Sequence, residues 1–173
     1  MPPTEGSLVA ALRQYEFFVY CGHGDGRRYM AADQLQRLPR CAVSLLMGCS
    51  SGALRVAGPG AAPTGMPLHY LHARCPALVA NLWDVTDGDI DRYCAALVGA
   101  ATAGGSLPKA VAAARAACRL PFLTGAAAVC YGVPVATLPC DAEGSQAADV
   151  PMTPVPPRTV QRGPRPRAGA RQQ

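Results

Sequence analysis

Several features that mark secreted, membrane and phosphate-binding proteins are missing from this chain of 173 residues. Residues 1–14 lack a basic region followed by an apolar stretch, and nowhere do about 18 apolar residues follow one another without interruption. The only asparagine, Asn81, precedes Leu82 and Trp83, so no N-glycosylation sequon exists. The glycine-rich residues 22–26 lack the third glycine of a dinucleotide loop. These absences predict a soluble intracellular protein with no membrane partner.

Paired metal ligands are also absent. The eight cysteines lie singly in apolar segments, and none forms a CxxC pair. His69 and His72 lie three residues apart on a predicted helix, but no carboxylate or cysteine accompanies them at ligand spacing. The sequence therefore predicts reduced thiols, no metal site and no cofactor.

Charge is distributed unevenly along the chain. Residues 1–149 hold eleven Lys+Arg and eleven Asp+Glu, so the formal net charge of +5 comes from five arginines beyond residue 149. A dedicated nucleic-acid binder would carry basic residues over a face of its fold, so no direct nucleic-acid contact is expected. Residues 139–173 are rich in proline and arginine and poor in apolar residues, which predicts a disordered tail acting as a spacer.

Strand patterns alternate with helix patterns between the first aromatic run and the tail. Short apolar runs that predict buried strands occupy residues 17–21, 41–47, 77–83 and 126–131. Helices are predicted over residues 32–38, 68–74, 87–103 and 107–118, the third with its N-cap at Thr86. This order indicates an α/β fold, with a parallel sheet covered by helices on both faces.

Two reactive side chains follow neighbouring predicted strands. His23 lies in the sequence GHGDG at residues 22–26, and Cys49 lies in GCSSG at residues 48–52. The carboxyl ends of parallel strands share one rim of a sheet, so we expect a Cys-His dyad there, with His23 as base and Cys49 as nucleophile. The N–H groups of Gly24 and Cys49 are candidate oxyanion donors. Ser50 and Ser51 are less nucleophilic than a thiolate.

Four segments together resemble the successive motifs of the separase protease domain. They are FVYCGHG at residues 18–24, LMGCSSG at 46–52, NLWDVTDGDIDRY at 81–93 and GAAAVCYGVPV at 125–135. The resemblance covers residues 15–138 in the order of the family and carries His23 and Cys49 over as the catalytic pair. It implies a three-layer caspase-like sandwich with a mostly parallel sheet.

The resemblance also implies a biological role. Separases are cysteine endopeptidases that cleave after arginine in the kleisin subunit of cohesin and so release sister chromatids at anaphase, in mitosis and meiosis. The implied partners are the kleisin, a securin-type inhibitor and the rest of the separase chain. The implied location is cytoplasm and nucleus, on the spindle or chromosomes in mitosis.

A substrate arginine calls for a carboxylate in its pocket, because a planar guanidinium is best held by a bidentate acceptor. Asp91 is the first candidate, since helix capping and the helix dipole do not account for an acid past the first turn. Asp84, at the strand tip, is the second, although it could instead anchor the loop. Asp87, with Asp89, could equally serve the helix N-terminus. Trp83 is predicted to pack in the core or to form a wall of the substrate pocket. Ser50 is the last candidate substrate-binding residue.

Two alternatives remain open on the sequence. A CHAT-type caspase-like peptidase shares the dyad and a comparable Leu-Trp block but acts on other substrates. A non-catalytic interaction fragment is the other, because a caspase-like sheet has two strands before the one that ends in histidine, and only about sixteen residues precede Phe17. Residues 1–138 are therefore predicted to form a partial peptidase domain without those N-terminal strands. An exposed apolar sheet edge and poor solubility are expected.

Overall fold

The computed structural model describes residues 3–137, so residue 138 and the predicted tail at 139–173 lie outside the described residues. The helices are α1 (Glu5–Gln14), α2 (Ala32–Leu35), α3 (Met66–His72), α4 (Asp87–Thr102) and α5 (Leu107–Ala114). The strands are β1 (Phe17–Tyr20), β2 (Val43–Leu46), β3 (Ala77–Asn81), β4 (Gly105–Ser106), β5 (Ala128–Gly132) and β6 (Ala136–Thr137). The four predicted strands and four predicted helices are present, most of them shorter than the patterns indicated.

Helix α1 was not predicted from the sequence. Thr4 caps it: its hydroxyl accepts from the Ser7 N–H, while the Ser7 hydroxyl accepts from the Thr4 N–H. This capping box uses serine at the position where glutamate or glutamine is the usual signal. Leu12 on α1 is fully buried, so packing against the sheet stabilises a helix whose sequence signal is weak.

The main sheet has the strand order β1-β2-β3-β5. β1 pairs with β2 and β2 with β3 in parallel, whereas β5 pairs antiparallel to β3. An all-parallel sheet would require one helix between β3 and β5, but α4 and α5 lie there in succession. The second helix brings the chain back to the end at which β3 finished, so β5 runs the opposite way. The sheet is therefore mostly, not wholly, parallel.

Helices cover both faces of this sheet. On one face Leu46, Leu78 and Ala80 pack against side chains of α1, α2 and α3, among them Leu12, Leu35 and Tyr70. On the other face Leu45, Ala77 and Val79 pack against α4 and α5, among them Tyr93, Leu97 and Val111. Alternate residues of each strand thus point to different cores, as the period of a strand requires. The fold is the expected three-layer α/β sandwich.

β1 and β5 form the two edges of the main sheet. Within residues 3–137 the only element before β1 is α1, so no strand covers the outer side of β1 there. Val19 of this edge strand is 36% exposed. None of the helices in the described range combines the length and apolar character that a membrane crossing needs.

Candidate active site

His23 and Cys49 follow adjacent parallel strands at the same rim of the sheet. Tyr20, the last residue of β1, is paired with Leu46, the last residue of β2. The pairing continues one step further, because the Met47 N–H donates to the Tyr20 carbonyl at 2.9 Å. His23 comes three residues after the end of β1 and Cys49 three residues after the end of β2. Equal offsets from paired strand ends bring the two residues to one place.

Gly48 is where the two loops touch. A Cβ atom at this position would lie 2.0 Å from the Gly24 carbonyl oxygen and 2.6 Å from the Gly22 carbonyl oxygen. Both distances are far inside van der Waals contact, so only glycine lets the backbone on either side of His23 lie against the residue before Cys49. The Tyr20 hydroxyl donates to the His23 carbonyl at 3.0 Å and so links the histidine loop to the end of β1.

The cysteine loop is held from the other side by β3. The Asn81 amide Nδ2 donates to the Gly48 carbonyl at 3.2 Å, and the Asn81 carbonyl accepts from the Gly52 N–H at 2.8 Å. Ser51 is buried; its hydroxyl donates to the Leu46 carbonyl and accepts from the Asn81 N–H. This supporting role of Asn81 was not predicted from the sequence, although a lone asparagine in an apolar strand indicates a buried amide that needs hydrogen-bond partners.

The segment after β3, residues 83–85, makes hydrogen bonds with Cys49 and Ser50. The Ser50 N–H donates to the Trp83 carbonyl at 3.1 Å, and the Ser50 hydroxyl donates to Asp84 at 2.7 Å. The Cys49 Sγ lies 3.4 Å from the Val85 carbonyl, to which the thiol donates. Ser50 has a positive φ of 52°, a strained conformation that these contacts maintain.

Trp83 is 39% exposed and its indole N–H donates to the Leu123 carbonyl at 2.9 Å. The prediction of core packing for Trp83 is therefore wrong. The physical reason is that β3 ends at Asn81, so Trp83 lies in the loop beyond the sheet and outside the two helical layers.

The candidate oxyanion donors flank this meeting point. Gly24 has φ of 63°, a left-handed conformation that glycine adopts readily. Among the described residues, the N–H groups of Gly24 and Cys49 donate to no backbone carbonyl. An N–H placed beside the nucleophile can stabilise the negative charge of a tetrahedral intermediate.

A cleft of about 290 Å³ opens between the two loops and the first turns of α4. It is lined by both dyad candidates and by Asp87 and Asp91, which lie one helical turn apart. Neither Asp84 nor Trp83 lines it. The full lining is Cys21, Gly22, His23, Met47, Gly48, Cys49, Val85, Asp87, Ile90 and Asp91. The lining thus carries two carboxylates and no lysine or arginine, a setting that suits a cationic side chain.

Asp89 has a different task from its neighbours. It is buried, and its carboxylate accepts from the Arg119 N–H at 2.8 Å, from the Leu120 N–H at 3.1 Å and from the Arg92 guanidinium. The bond from the Arg119 N–H is the main reason that the pKa of Asp89 is lowered. Asp89 therefore ties α4 to the turn after α5, a contact that sequence reasoning about the helix dipole did not find.

Cys21 is a cleft residue that the sequence analysis did not single out. Its thiol is exposed and lies 3.9 Å from the Cys94 sulfur on α4. The pKa of Cys21 is lowered to about 7, chiefly by its hydrogen bond with Cys94, while partial burial and Asp91 act in the opposite direction. The cleft therefore holds a thiol other than that of Cys49, and this second thiol can ionise near neutral pH.

Known proteins share both the sequence and the fold described above. Residues 1–90 match the family described as "Separin, protease domain". Over 146 residues the chain is 47% identical to separin of Emericella nidulans, an alignment that covers 76% of this chain and 7% of that protein. It is also 46% identical over 136 residues to separin of Mus musculus, covering 77% of this chain and 6% of the mouse protein.

Solved structures give the same result. A Saccharomyces cerevisiae separase in a crystal structure of a separase–securin complex superimposes with a TM-score of 0.71 at 40% identity, covering 76% of this chain and 9% of that one. A second crystal structure of that yeast complex gives a TM-score of 0.72 at 38% identity, covering 79% of this chain and 10% of that one. This chain thus spans less than a tenth of the length of the separins it matches from Emericella nidulans and Mus musculus.

Proposed function

The chain belongs to the separin family and matches its protease domain, and from that premise we propose that it is a cysteine endopeptidase with Cys49 as nucleophile and His23 as base. The observation that carries the proposal is the contact at Gly48, where the backbone of the histidine loop lies against the residue before the cysteine. A contact of this kind brings an imidazole and a thiol into one cleft, the minimum geometry for such a dyad.

The proposed reaction begins when His23 takes the proton of the Cys49 thiol. The thiolate attacks the carbonyl carbon of the scissile peptide bond, and the resulting oxyanion accepts hydrogen bonds from the Gly24 and Cys49 N–H groups. His23 then gives its proton to the leaving amine, and the C–N bond breaks. A water molecule, deprotonated by His23, hydrolyses the thioester and regenerates Cys49.

Arginine before the cleaved bond is the proposed specificity. Asp87 and Asp91 both line the cleft that contains the dyad candidates, and the lining holds no lysine or arginine. Asp84 accepts a hydrogen bond from the Ser50 hydroxyl at 2.7 Å and is not among the residues that line the cleft, which favours Asp91 and then Asp87 as the acceptor. A carboxylate that receives two parallel N–H bonds from arginine discriminates strongly against a neutral side chain.

The proposed substrate is the kleisin subunit of cohesin, cut to release sister chromatids at anaphase, and the proposed inhibitor is a securin-type protein. The yeast neighbours are separases solved in complex with securin, which supports the inhibitor. The rest of a separase chain is a further proposed partner. The region that this chain shares with the separins of Emericella nidulans and Mus musculus is less than a tenth of their length. Action in the cytoplasm and nucleus, on the spindle or chromosomes, follows from that role as a proposal.

An active-site-directed label tests the dyad. An acyloxymethylketone peptide ending in arginine is expected to alkylate Cys49, because a thiolate beside a bound arginine displaces the leaving group. The experiment uses the Cys21→Ser variant, since the exposed thiol of Cys21 lies in the same cleft and would otherwise contribute label. Intact-mass and peptide-mapping mass spectrometry locate the adduct.

Two variants and one matched reagent serve as controls. Adding Cys49→Ser or His23→Ala to the Cys21→Ser background should abolish the adduct, and a reagent with norleucine in place of arginine should react much more slowly. Cys130→Ser should leave labelling unchanged, since Cys130 lies on β5 away from the cleft. Equal reaction of several cysteines, or full labelling without His23, would contradict the proposed dyad and favour a non-catalytic fragment.

A further inference from the structure

We propose that Cys21 and Cys94 are a redox-sensitive pair that forms a reversible disulfide across the candidate substrate cleft. Their sulfur atoms lie 3.9 Å apart, although 73 residues separate them in the sequence. Cys21 follows β1 directly, and Cys94 lies on α4 one turn after Asp91. The two sulfurs need to approach by only about 2 Å to reach bonding distance, which rotation of the two side chains can provide.

The two thiols have complementary roles. Cys21 is exposed, whereas Cys94 is 9% exposed and donates toward Cys21. The hydrogen bond with Cys94 is the main cause of the lowering of the Cys21 pKa to about 7, and it raises the pKa of Cys94. An exposed thiolate next to a second, protonated thiol is the arrangement that reacts with peroxide and then closes to a disulfide.

The reaction balances with hydrogen peroxide as the oxidant. The Cys21 thiolate attacks one peroxide oxygen, the O–O bond breaks, and Cys21 sulfenic acid and hydroxide form; the hydroxide takes up a proton to become water. The Cys94 sulfur then attacks the Cys21 sulfur, the S–O bond breaks, and the Cys94 proton leaves with the hydroxyl group as a second water. Two thiols are oxidised and one peroxide is reduced; an added dithiol reverses the change.

The pair lies at the wall of the cleft. Cys21 lines the cleft together with His23, Cys49 and Asp91, and the Asp91 carboxylate is near enough to raise the pKa of both thiols. Drawing Cys21 toward α4 pulls on residues 22–24, which are packed against Gly48 with almost no spare space. The disulfide is therefore expected to displace His23 and to narrow the entry to Asp91. This last consequence rests on the proposed function, whereas the disulfide itself does not.

A second cysteine pair in the same fold provides an internal comparison. Cys41 and Cys75 are within hydrogen-bonding reach of each other, but both are buried, at 3% and 4% exposure. The Cys75 thiol also donates to the Ala42 and Ala77 carbonyls, at 3.0 and 3.1 Å. Peroxide can reach this pair only when the core opens, so it is expected to stay reduced while Cys21 and Cys94 react.

Peptide mapping of the peroxide-treated chain tests the proposal. Remaining thiols are blocked with N-ethylmaleimide, the protein is digested without reduction, and cross-linked peptides are identified by mass spectrometry. We expect one intramolecular Cys21–Cys94 cross-link that disappears with dithiothreitol. Its rate of formation should rise about tenfold between pH 6 and pH 8, as the Cys21 thiolate fraction increases around a pKa of about 7.

Variants distinguish formation of the Cys21–Cys94 disulfide from non-specific oxidation of other cysteines. Cys94→Ala should eliminate the cross-link and leave Cys21 as a sulfenic acid that dimedone traps, formed more slowly because the hydrogen bond that lowers the Cys21 pKa is lost. Cys130→Ser should form the cross-link at the rate of the unaltered chain. Absence of a Cys21–Cys94 peptide, or preferential formation of Cys41–Cys75 or intermolecular links, would overturn the proposal. This mapping on the unaltered chain does not depend on any variant folding.

The functional consequence is measured separately on the same samples. Oxidation should slow labelling of Cys49 by the arginyl reagent, and dithiothreitol should restore it. Peroxide should slow the labelling less in Cys94→Ala than in the unaltered chain, because only direct oxidation of the Cys49 thiolate remains there. If Cys49 is never labelled but the cross-link forms, the proposed peptidase fails and the redox pair stands. If labelling is normal and the cross-link does not form, the redox proposal fails alone.

Discussion

The acidic residues that follow β3 lie within eight positions of one another, yet each has a different environment. Asp84 accepts from the Ser50 hydroxyl, and Asp89 is buried against backbone N–H groups. Asp87 and Asp91 are exposed and line the cleft beside the dyad candidates. Of these four carboxylates, only those of Asp87 and Asp91 belong to residues that line the cleft.

Replacing Asp91 by alanine is the residue-scale prediction. Asp91→Ala should reduce the preference for arginine over norleucine about 10- to 100-fold, because a hydrogen bond to a charged group contributes about 1.5–3 kcal/mol. The measurement compares second-order labelling rates of Cys49 with the two reagents in the Cys21→Ser background.

Asp87→Ala is the matched control for this change, since it removes the same group one helical turn away. It should reduce the preference less than Asp91→Ala does. A preference that survives Asp91→Ala but is lost in Asp87→Ala would assign the arginine pocket to Asp87 instead.

Helix α4 connects the active-site side of the molecule to the segment after α5. Its N-cap residue, Thr86, was predicted correctly, although the Thr86 side chain makes no capping hydrogen bond. The buried carboxylate of Asp89, one turn later, instead accepts the N–H groups of Arg119 and Leu120. α4 is therefore anchored by a tertiary contact rather than by its own cap.

Replacing Asp89 by asparagine is the element-scale prediction. The folded state lowers the pKa of Asp89, so its carboxylate stabilises the fold above the unfolded pKa of about 4, and this stabilisation is lost as the pH falls through the lower folded value. Asp89→Asn should reduce the free energy of unfolding at pH 7 and weaken its decline on acidification. Urea titrations at a series of pH values measure both effects.

Asp91→Asn, on the exposed side of the same helix, is the comparison for stability. It should leave the urea midpoint at pH 7 nearly unchanged, because a substitution of an exposed residue outside any buried hydrogen-bond network has little effect. Equal losses in the two variants would show that Asp89 is not a special anchor of α4.

At the scale of the whole molecule, the outer side of β1 is an edge of the described sheet that no strand covers. A separate apolar groove of about 500 Å³, lined by Phe17, Val43 and Val135 among others, lies at the amino-terminal ends of β1 and β2. Backbone N–H and C=O groups on an uncovered edge strand can pair with another chain. The sequence-based expectation of poor solubility therefore has a defined location, although it stays a prediction.

Placing a charge on this edge tests that expectation. Val19→Lys should reduce self-association, because a lysine on an edge strand opposes pairing with a second edge. Light scattering coupled to size-exclusion chromatography measures the molar mass of both proteins over a range of concentrations. Ala112→Lys, an exposed position on α5, adds the same charge away from the edge and should not change the association state. A compact monomer for the unaltered chain would contradict the prediction.

Local sequence patterns determined the elements and the approximate position of the site. Apolar runs ending in glycine located β1 and β2, and the parallel order placed the loops of His23 and Cys49 on one rim, because such loops share the carboxyl edge of a sheet. The antiparallel direction of β5 was not predicted, because an apolar pattern does not show in which direction a strand runs. The path of the chain through α4 and α5 determines that direction. Helix α1 was missed because its capping box is weak and its burial depends on the sheet.

Contacts between residues far apart in the chain were decided only by the tertiary structure. The sequence placed glycine at position 48, but the fold alone brought its Cα against the Gly22 and Gly24 carbonyls. The packing of β1, β2, β3 and α4 decides two further contacts. It lets the Asn81 amide donate to the Gly48 carbonyl, and it brings the Cys21 sulfur next to the Cys94 sulfur. Short-range periodicity specifies which face a side chain occupies, whereas its partner across that face depends on how separate elements pack.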